Sequence, residues 1–466
     1  MKPANRWQLL GYGSGSMAMS AYYLVSGSYL LFATAVLGLP ASLAGMIMAV
    51  STLWDAVIDV PLGWLSDHTR SRRFGRRHPF LLLGGMSITV LTALLWATPQ
   101  GLGTTTTALW LLVTLIGLKT AIAAFIIPHT ALGNEIVDGY DARTVVHGWR
   151  AVFIVVGMLL ALAGSNLFFF RPTAEYPQGQ LNPAAYPPLG LACAALVLLA
   201  TVGAVAGTWR FIPRLQAEPT AVDTQHGGGW RRFAGLMLGD RNLRALALTI
   251  LCIEPTLQLG IALNTHVYTY TYGLSGPQIG VLSLAMLAAM VLAQPLWIRL
   301  GRRLDKKPAL IIAALVSLSG FVLGPLTHVA WGWFPLQPPS SVVVSLMPFQ
   351  ILAGAGAGAF FSLPFAMVGD CALAQQRETG QQVVGAYNGV YVFAYKLGSS
   401  IGIAGSGLLL HLIGFDPALP AQAADTRYWL AVAPALLMLA GTPLVLWMLN
   451  GYRLSRSAFA ERLPAG

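Results

Sequence analysis

Apolar residues fall along this chain in long unbroken runs, with no sustained alternation. A helix needs about 20 mainly apolar residues to cross a bilayer. Twelve runs qualify: 9–37, 42–66, 79–98, 107–131, 146–170, 188–209, 243–272, 277–298, 308–330, 342–368, 385–411 and 428–449. Short turns bearing Pro or Gly separate most of them, such as G-L-P-A-S at 38–42 and G-L-S-G-P at 273–277. The pattern predicts an all-α membrane protein of twelve spans. No A-x-A-like cleavage site follows the first run, so it reads as a span and not as a removable signal peptide. The longest polar break, 210–242, reads as a cytosolic linker. It divides the chain into an N-terminal six-helix half, 1–209, and a C-terminal half, 243–449, with a tail at 450–466.

Composition supports this reading. Hydrophobic residues make up 56% and charged residues 10%, against roughly 25% charged in a soluble domain. The net charge of +11 would suit a nucleic-acid partner, but its placement gives another reason for it. With the N-terminus in the cytosol, the basic clusters 70–77, 210–244, 299–307 and 453–462 all fall on the cytosolic side, and the outer loops hold only Arg171 and Arg427. This is the positive-inside pattern. It predicts a multi-pass plasma-membrane protein, in a bacterial inner membrane, with both termini cytosolic and no nucleic-acid partner. Cys193, Cys252 and Cys371 are far apart and odd in number, which suggests neither a disulfide framework nor a metal site. No nucleophile–base set stands out, so an enzyme is not expected, and no cofactor is implied.

Six ionisable residues lie inside predicted spans: Asp55, Asp59, Lys119, Arg150, Glu254 and Lys396. Such residues are expensive in hydrocarbon and usually functional. Asp55 and Asp59 are four apart and share a helix face. Counted back from Ser66, Asp59 sits roughly 10 Å in from the cytosolic end and Asp55 roughly 17 Å. Each ionised carboxylate there costs about 2.5–3.5 kcal/mol, and repulsion between the two adds to it unless a cation or a proton intervenes. The pair suits sodium or a shared proton, and a salt bridge to Arg150 or Lys396 is the structural alternative. The halves also echo each other. Span two ends in P-L-G-W-L-S-D and runs into a basic loop closed by H-P; span eight ends in P-L-W-I-R-L-G-R-R-L-D and is closed by K-P. A parallel six-plus-six repeat predicts this.

The segment W-D-A-V-I-D-V-P-L-G-W-L-S-D-H-T-R-S-R-R-F-G-R-R-H-P-F resembles the signature of the glycoside–pentoside–hexuronide:cation symporters, the melibiose-permease-like branch of the major facilitator superfamily. P-H-T-A-L-G-N-E (128–135), L-P-F-A-M-V-G-D (363–370) and Y-N-G-V-Y-V-F-A-Y-K-L-G (387–398) agree with it. The resemblance implies the major facilitator fold and alternating access. It implies that Asp55 and Asp59 bind the coupling cation, with Arg150 and Lys396 beside them. It also shows departures. The carboxylates that such members carry on helices I and IV are absent; Ser16 stands near the first position, and span four offers Lys119 instead. The expected function is therefore sodium- or proton-coupled uptake of a small molecule, a sugar or glycoside, by a monomer in the lipid bilayer. The alternatives are a uronide or other anionic substrate, or a translocated lipid.

Other positions carry weaker expectations. Tyr22 and its neighbours on span one, and Asn388 with Tyr391 and Tyr395 on span eleven, form polar-aromatic stripes of the kind that sugar sites use. Glu254, followed by Pro255, reads as a second proton carrier, a substrate contact or a partner for loosened backbone. His129 reads as a packing residue. The tyrosines of H-V-Y-T-Y-T-Y (266–272) suggest an aromatic belt at the outer interface. The runs 354–359 and 398–407 suggest small-residue faces for close helix contact. Asp67, Arg76, Arg77, Glu135, Asp370 and Glu378 lie at inner span ends and suggest ion pairs that lock a cytosolic gate.

Overall fold

The computed structural model describes residues 5–71, 73–137, 140–213, 235, 239–379 and 384–455. Among the described residues, twelve helices are long and apolar enough to cross a membrane: α1 (Arg6–Val36), α2 (Ala41–His68), α3 (His78–Trp96), α4 (Thr104–Glu135), α5 (Val145–Phe169), α6 (Pro183–Phe211), α7 (Arg241–Thr271), α8 (Gly276–Leu304), α9 (Lys306–Ala330), α10 (Pro339–Thr379), α11 (Val384–Leu412) and α12 (Ala424–Asn450). The protein is a multi-pass, all-α membrane protein. Its helices begin and end within a few residues of the apolar runs. The exception is α10, which bends through a tight turn at Ala359–Phe361 and continues as helix to Thr379. The expected linker 210–242 and tail 450–466 lie largely outside the described residues, including Arg214, Arg231, Arg232, Arg456 and Arg462.

The chain forms two compact units. One comprises Met1–Val222 with Ser275–Gly280 and Pro417–Pro420; the other comprises Asp223–Leu274, Val281–Asp416 and Ala421–Gly466. In the first, α3 packs on α4 and α6, α2 packs on α4, and α1 packs on α5 and α6. In the second, α9 packs on α10 and α12, and α7 packs on α11 and α12. The α8–α10 contact is made by Trp297 Nε1 donating to the Ala355 carbonyl (2.6 Å) and Gln294 Nε2 to that of Gly358 (2.7 Å). Each unit thus repeats one scheme of pairings.

Small residues set how closely these helices approach. A Cβ on Gly11 of α1 would lie 2.8 Å from the Cα of Gly207 on α6. The Gly-Ala run of α10 works the same way: a Cβ on Gly356 would meet the Ala313 carbonyl of α9 at 2.5 Å. Dispersion and packing, not a hydrophobic drive, hold helices together in lipid, so such faces carry much of the association.

The expected tyrosine belt is corrected. Tyr268, Tyr270 and Tyr272 are buried in the π-helical last turn of α7, Val267–Thr271, and its cap, because aromatic partners from elsewhere in the second unit cover that turn. Tyr270 meets Phe415 edge-on at 5.3 Å and Tyr272 meets His328 at 5.9 Å. Aromatic side chains exposed near this end include Trp331, Trp333, Phe334, Tyr428 and Trp429.

Candidate functional site

Asp55 and Asp59 lie one turn apart on α2. Asp55 is only 8% exposed and Asp59 is half-buried. Pro61 interrupts the helix just beyond them and removes the hydrogen bond that the Val57 carbonyl would accept, so Asp59 sits in a loosened turn. α2 and α4 run in register. Trp54 Nε1 donates to Thr120 Oγ1 at 2.9 Å, and a Cβ on Gly63 would touch Ile127 at 3.8 Å. Asp55 follows Trp54 and Lys119 precedes Thr120. Along the bundle axis the Cα atoms of Asp55 and Lys119 are therefore level to within roughly 3 Å.

Lys119 is buried, 3% exposed. Its Nζ stands 4.1 Å from the centroid of the Tyr22 ring on α1, a cation–π geometry worth about 2 kcal/mol or more when desolvated. Tyr22 in turn meets Tyr23 edge-on at 5.6 Å. The Lys119 ammonium is thus held inside the first unit and does not reach for an interface.

Arg150 lies on α5. Its charge is felt by Tyr12 and Tyr23 of α1 and by His129. Its Nε is buried without a hydrogen-bond partner, as is Ser16 Oγ nearby in sequence to Tyr12 and Tyr23 on α1. His129 is a packing residue. It stacks on Tyr12 (4.4 Å, 9°) and Phe125 (5.6 Å, 18°), and its Nε2 is 2.8 Å from the Tyr12 carbonyl oxygen.

In the second unit, Glu254 on α7 is 5% exposed and accepts from Gln258 Nε2 at 3.2 Å. Gly398 of α11 packs directly on it: a Cβ there would lie 2.9 Å from Glu254 Cβ. Lys396 stands two residues before Gly398, roughly 200° round the helix, and so lies on the face of α11 turned away from α7. Asn388 spends its amide on its own helix, donating to the Val384 carbonyl at 2.9 Å.

At the ends bearing the basic loops, Arg77 is the hub. It donates to Ser66 Oγ (2.8 Å), Asp67 Oδ1 (2.5 Å) and Glu135 Oε1 (2.7 Å), while Arg76 pairs with Glu135 at 3.3 Å. Gly75 makes this possible. Its φ of +67°, comfortable for glycine alone, closes a turn with Ser71 (Gly75 N–H to the Ser71 carbonyl, 2.9 Å) and returns the chain to α3. Burial works against the Arg77 charge, but Glu135 and Asp67 outweigh it and raise its pKa above the usual arginine range. Ser66 is a member that sequence reasoning missed; its place beside Asp67 was the available signal. In the second unit Lys306 pairs with Asp370 at 2.5 Å, and Tyr387 donates to Asp240 at 2.8 Å. Glu378, expected at the gate, lies on α10 near its end.

Residues 11–456 match the family described as MFS/sugar transport protein. The chain belongs to this family. Its members are membrane transporters of the major facilitator superfamily, and neither the family nor the structural neighbours are enzymes. An uncharacterized symporter of Synechocystis, sll1374, is 24% identical, covering 94% of this chain and 93% of its own. A glucuronide carrier protein homolog of Escherichia coli is 22% identical over 87% and 84%. Among solved structures, a bacterial homolog of the human lysosomal transporter Spinster, crystallised inward-facing and unoccupied, superposes with a TM-score of 0.68 at 13% identity, covering 98% of this chain and 100% of its own. That likeness shows the fold.

Proposed function

We propose that this protein is a secondary active symporter that couples entry of sodium or a proton to uptake of a sugar or glycoside by alternating access. The observation that carries the reading is the carboxylate pair Asp55 and Asp59, one turn apart on α2, with Asp55 buried at the level of the buried ammonium of Lys119. A permanently filled salt bridge would leave no room for a coupling ion. On this reading the two carboxylates, one turn apart on one helix face, are the oxygen ligands of a cation from the medium. Binding that cation changes the charge state facing the substrate, and this links the two fluxes. The family description supports a sugar as cargo, and the name of the Synechocystis relative supports symport.

On this reading the basic ends face the cytosol, the membrane is a bacterial inner membrane, the halves are 1–209 and 243–449, and the monomer is the working unit. The Arg77 and Lys306 clusters act as gate latches that hold the basic ends closed. Arg150 and Lys396 adjust the charge near the transported species. A second reading, an anionic sugar such as a uronide, is favoured by one observation: Lys119, over Tyr22, occupies the span where galactoside-transporting relatives carry a carboxylate. The name of the glucuronide carrier relative agrees with it.

The test is uptake into proteoliposomes under imposed sodium or proton gradients, with radiolabelled glucosides, pentosides and glucuronides as probes. Accumulation of a neutral sugar that follows one gradient supports the first reading, and selective accumulation of the glucuronide supports the second. Uptake indifferent to both gradients refutes symport.

A further inference from the structure

We propose that Glu254 is a proton-binding site of the second unit: a carboxylic acid that is neutral in the conformation seen here and that loads and releases a proton during transport. The inference rests on the transport reading above and adds a second ionisable station to the one on α2.

Glu254 is 5% exposed in the middle of α7, far from either helix end. An ionised carboxylate at such a place needs a cation or several donors. It has neither. Among the described residues no lysine, arginine or histidine lies within salt-bridge distance, and its printed hydrogen bond is the one neutral amide of Gln258, at 3.2 Å. Among the described residues of the second unit, the elements packed on α7 bring no positive charge into salt-bridge distance of it. α11 presents Tyr391, buried and within electrostatic range of Glu254, and places Tyr395 near, while Lys396 lies on its other face. α12 carries no titratable side chain between Trp429 and Asn450. α10 brings Asp370 and Cys371 only toward the first turns of α7. On α7 itself the titratable groups include Cys252; Arg244 and Arg241 at the first turns, nearly three turns back or more; and His266 three turns on. With no counter-charge, the form that fits is the protonated acid.

The alternatives fit less well. A sodium ion wants several oxygen ligands, and Glu254 offers one carboxylate beside an amide whose N–H, not its oxygen, faces it. A purely structural role would need the acid proton to have a fixed acceptor. The nearest loosened backbone carbonyl is that of Leu251, freed by Pro255, but Gly398 already occupies the space against it: a Cβ there would lie 3.2 Å from the Leu251 oxygen. The Gly398 approach and the proline together make α7 a segment whose packing on α11 can change without breaking a hydrogen-bond ladder. When water reaches Glu254, the O–H bond breaks, the electron pair stays on the carboxylate and the proton leaves on water as hydronium. The Gln258 N–H remains to solvate the anion. Return of a proton from water at the opposite surface restores the neutral acid.

The decisive experiment is infrared spectroscopy of the full-length protein in lipid nanodiscs at pH 7, with Glu254→Gln as the near-isosteric variant. A protonated-carboxyl C=O band that shifts in D2O and is absent from Glu254→Gln is expected. A spectrum without such a band, or one unchanged by the substitution, overturns the proposal whatever the protein transports. In proteoliposomes loaded with glucoside and glucuronide probes, a one-unit pH gradient acting on one proton supports up to about tenfold accumulation. Glu254→Gln should abolish that proton-driven part while probe exchange across the membrane continues. Proton-driven accumulation equal to wild type in Glu254→Gln also overturns the proposal. Failure of wild type to move any probe refutes the sugar reading alone, because the infrared result still decides the state of Glu254.

Discussion

Replacing Arg77 by lysine keeps the charge at the basic end of the first unit and removes the fork that makes it a hub. Arg77 serves three groups at once: Ser66 at 2.8 Å, Asp67 at 2.5 Å and Glu135 at 2.7 and 3.1 Å through two nitrogens. A single ammonium on a flexible stem cannot hold all three. Hydrogen bonds to charged groups are worth about 1.5–3 kcal/mol each, and the Arg77 and Glu135 side chains are only 7% and 16% exposed. Asp67 is 52% exposed, so its share falls toward the surface value of about 0–1 kcal/mol. If lysine retains one contact with Glu135, the net loss is about 2–3 kcal/mol. That corresponds to a melting temperature lower by roughly 4–12 °C for a unit of this size, measurable by scanning fluorimetry of purified protein. The sign with pH follows from the raised pKa of Arg77. The arginine contribution is fully present below arginine's ordinary range and is lost only as pH rises through the still higher folded value. Its titration therefore gives the wild-type–variant difference no slope from about pH 6 to 9. A lysine variant that melts within about 1 °C of wild type would refute the reasoning.

Two further outcomes follow from the packing and the charge. Gly402→Val on α11 forces a branched side chain against the Pro255 carbonyl, and the overpacking should destabilise the second unit by about 1–3 kcal/mol; unchanged thermal melting would show that this contact is not close. Lys119→Met removes the ammonium over Tyr22 and leaves Asp55 and Asp59 without that neighbouring charge, so the sodium or proton concentration for half-maximal uptake should fall. An unchanged cation dependence would separate Lys119 from the ion site.

The twelve spans were legible because length and hydropathy alone decide whether a helix can cross a bilayer. The extension of α10 to Thr379 was not, because A-L-A-Q-Q-R-E-T is a good helix former but too polar to read as a span. Asp55, Asp59, Lys119 and Glu254 stood out because each is costly where it sits. What they meet depends on helix register, and that needs coordinates: the Trp54–Thr120 bond levels Asp55 with Lys119, and the Gly398 contact turns Lys396 away from Glu254. Arg150 illustrates the limit. Its intramembrane position was clear, but its nearness to Tyr12, Tyr23 and His129 was not. The tyrosines at 268–272 were misread because the groups that cover them, Phe415 and His328, are far away in sequence, and no local pattern announces them.

The most direct test of the central claim, that the α2 aspartates bind the coupling cation, is to compare gradient-driven uptake with equilibrium exchange in Asp55→Asn and Asp59→Asn proteoliposomes. The probe is whichever labelled glycoside or glucuronide wild type accumulates. The account predicts that both variants lose accumulation under the sodium or proton gradient while exchange of the probe persists. Accumulation at the wild-type level in either variant would contradict it.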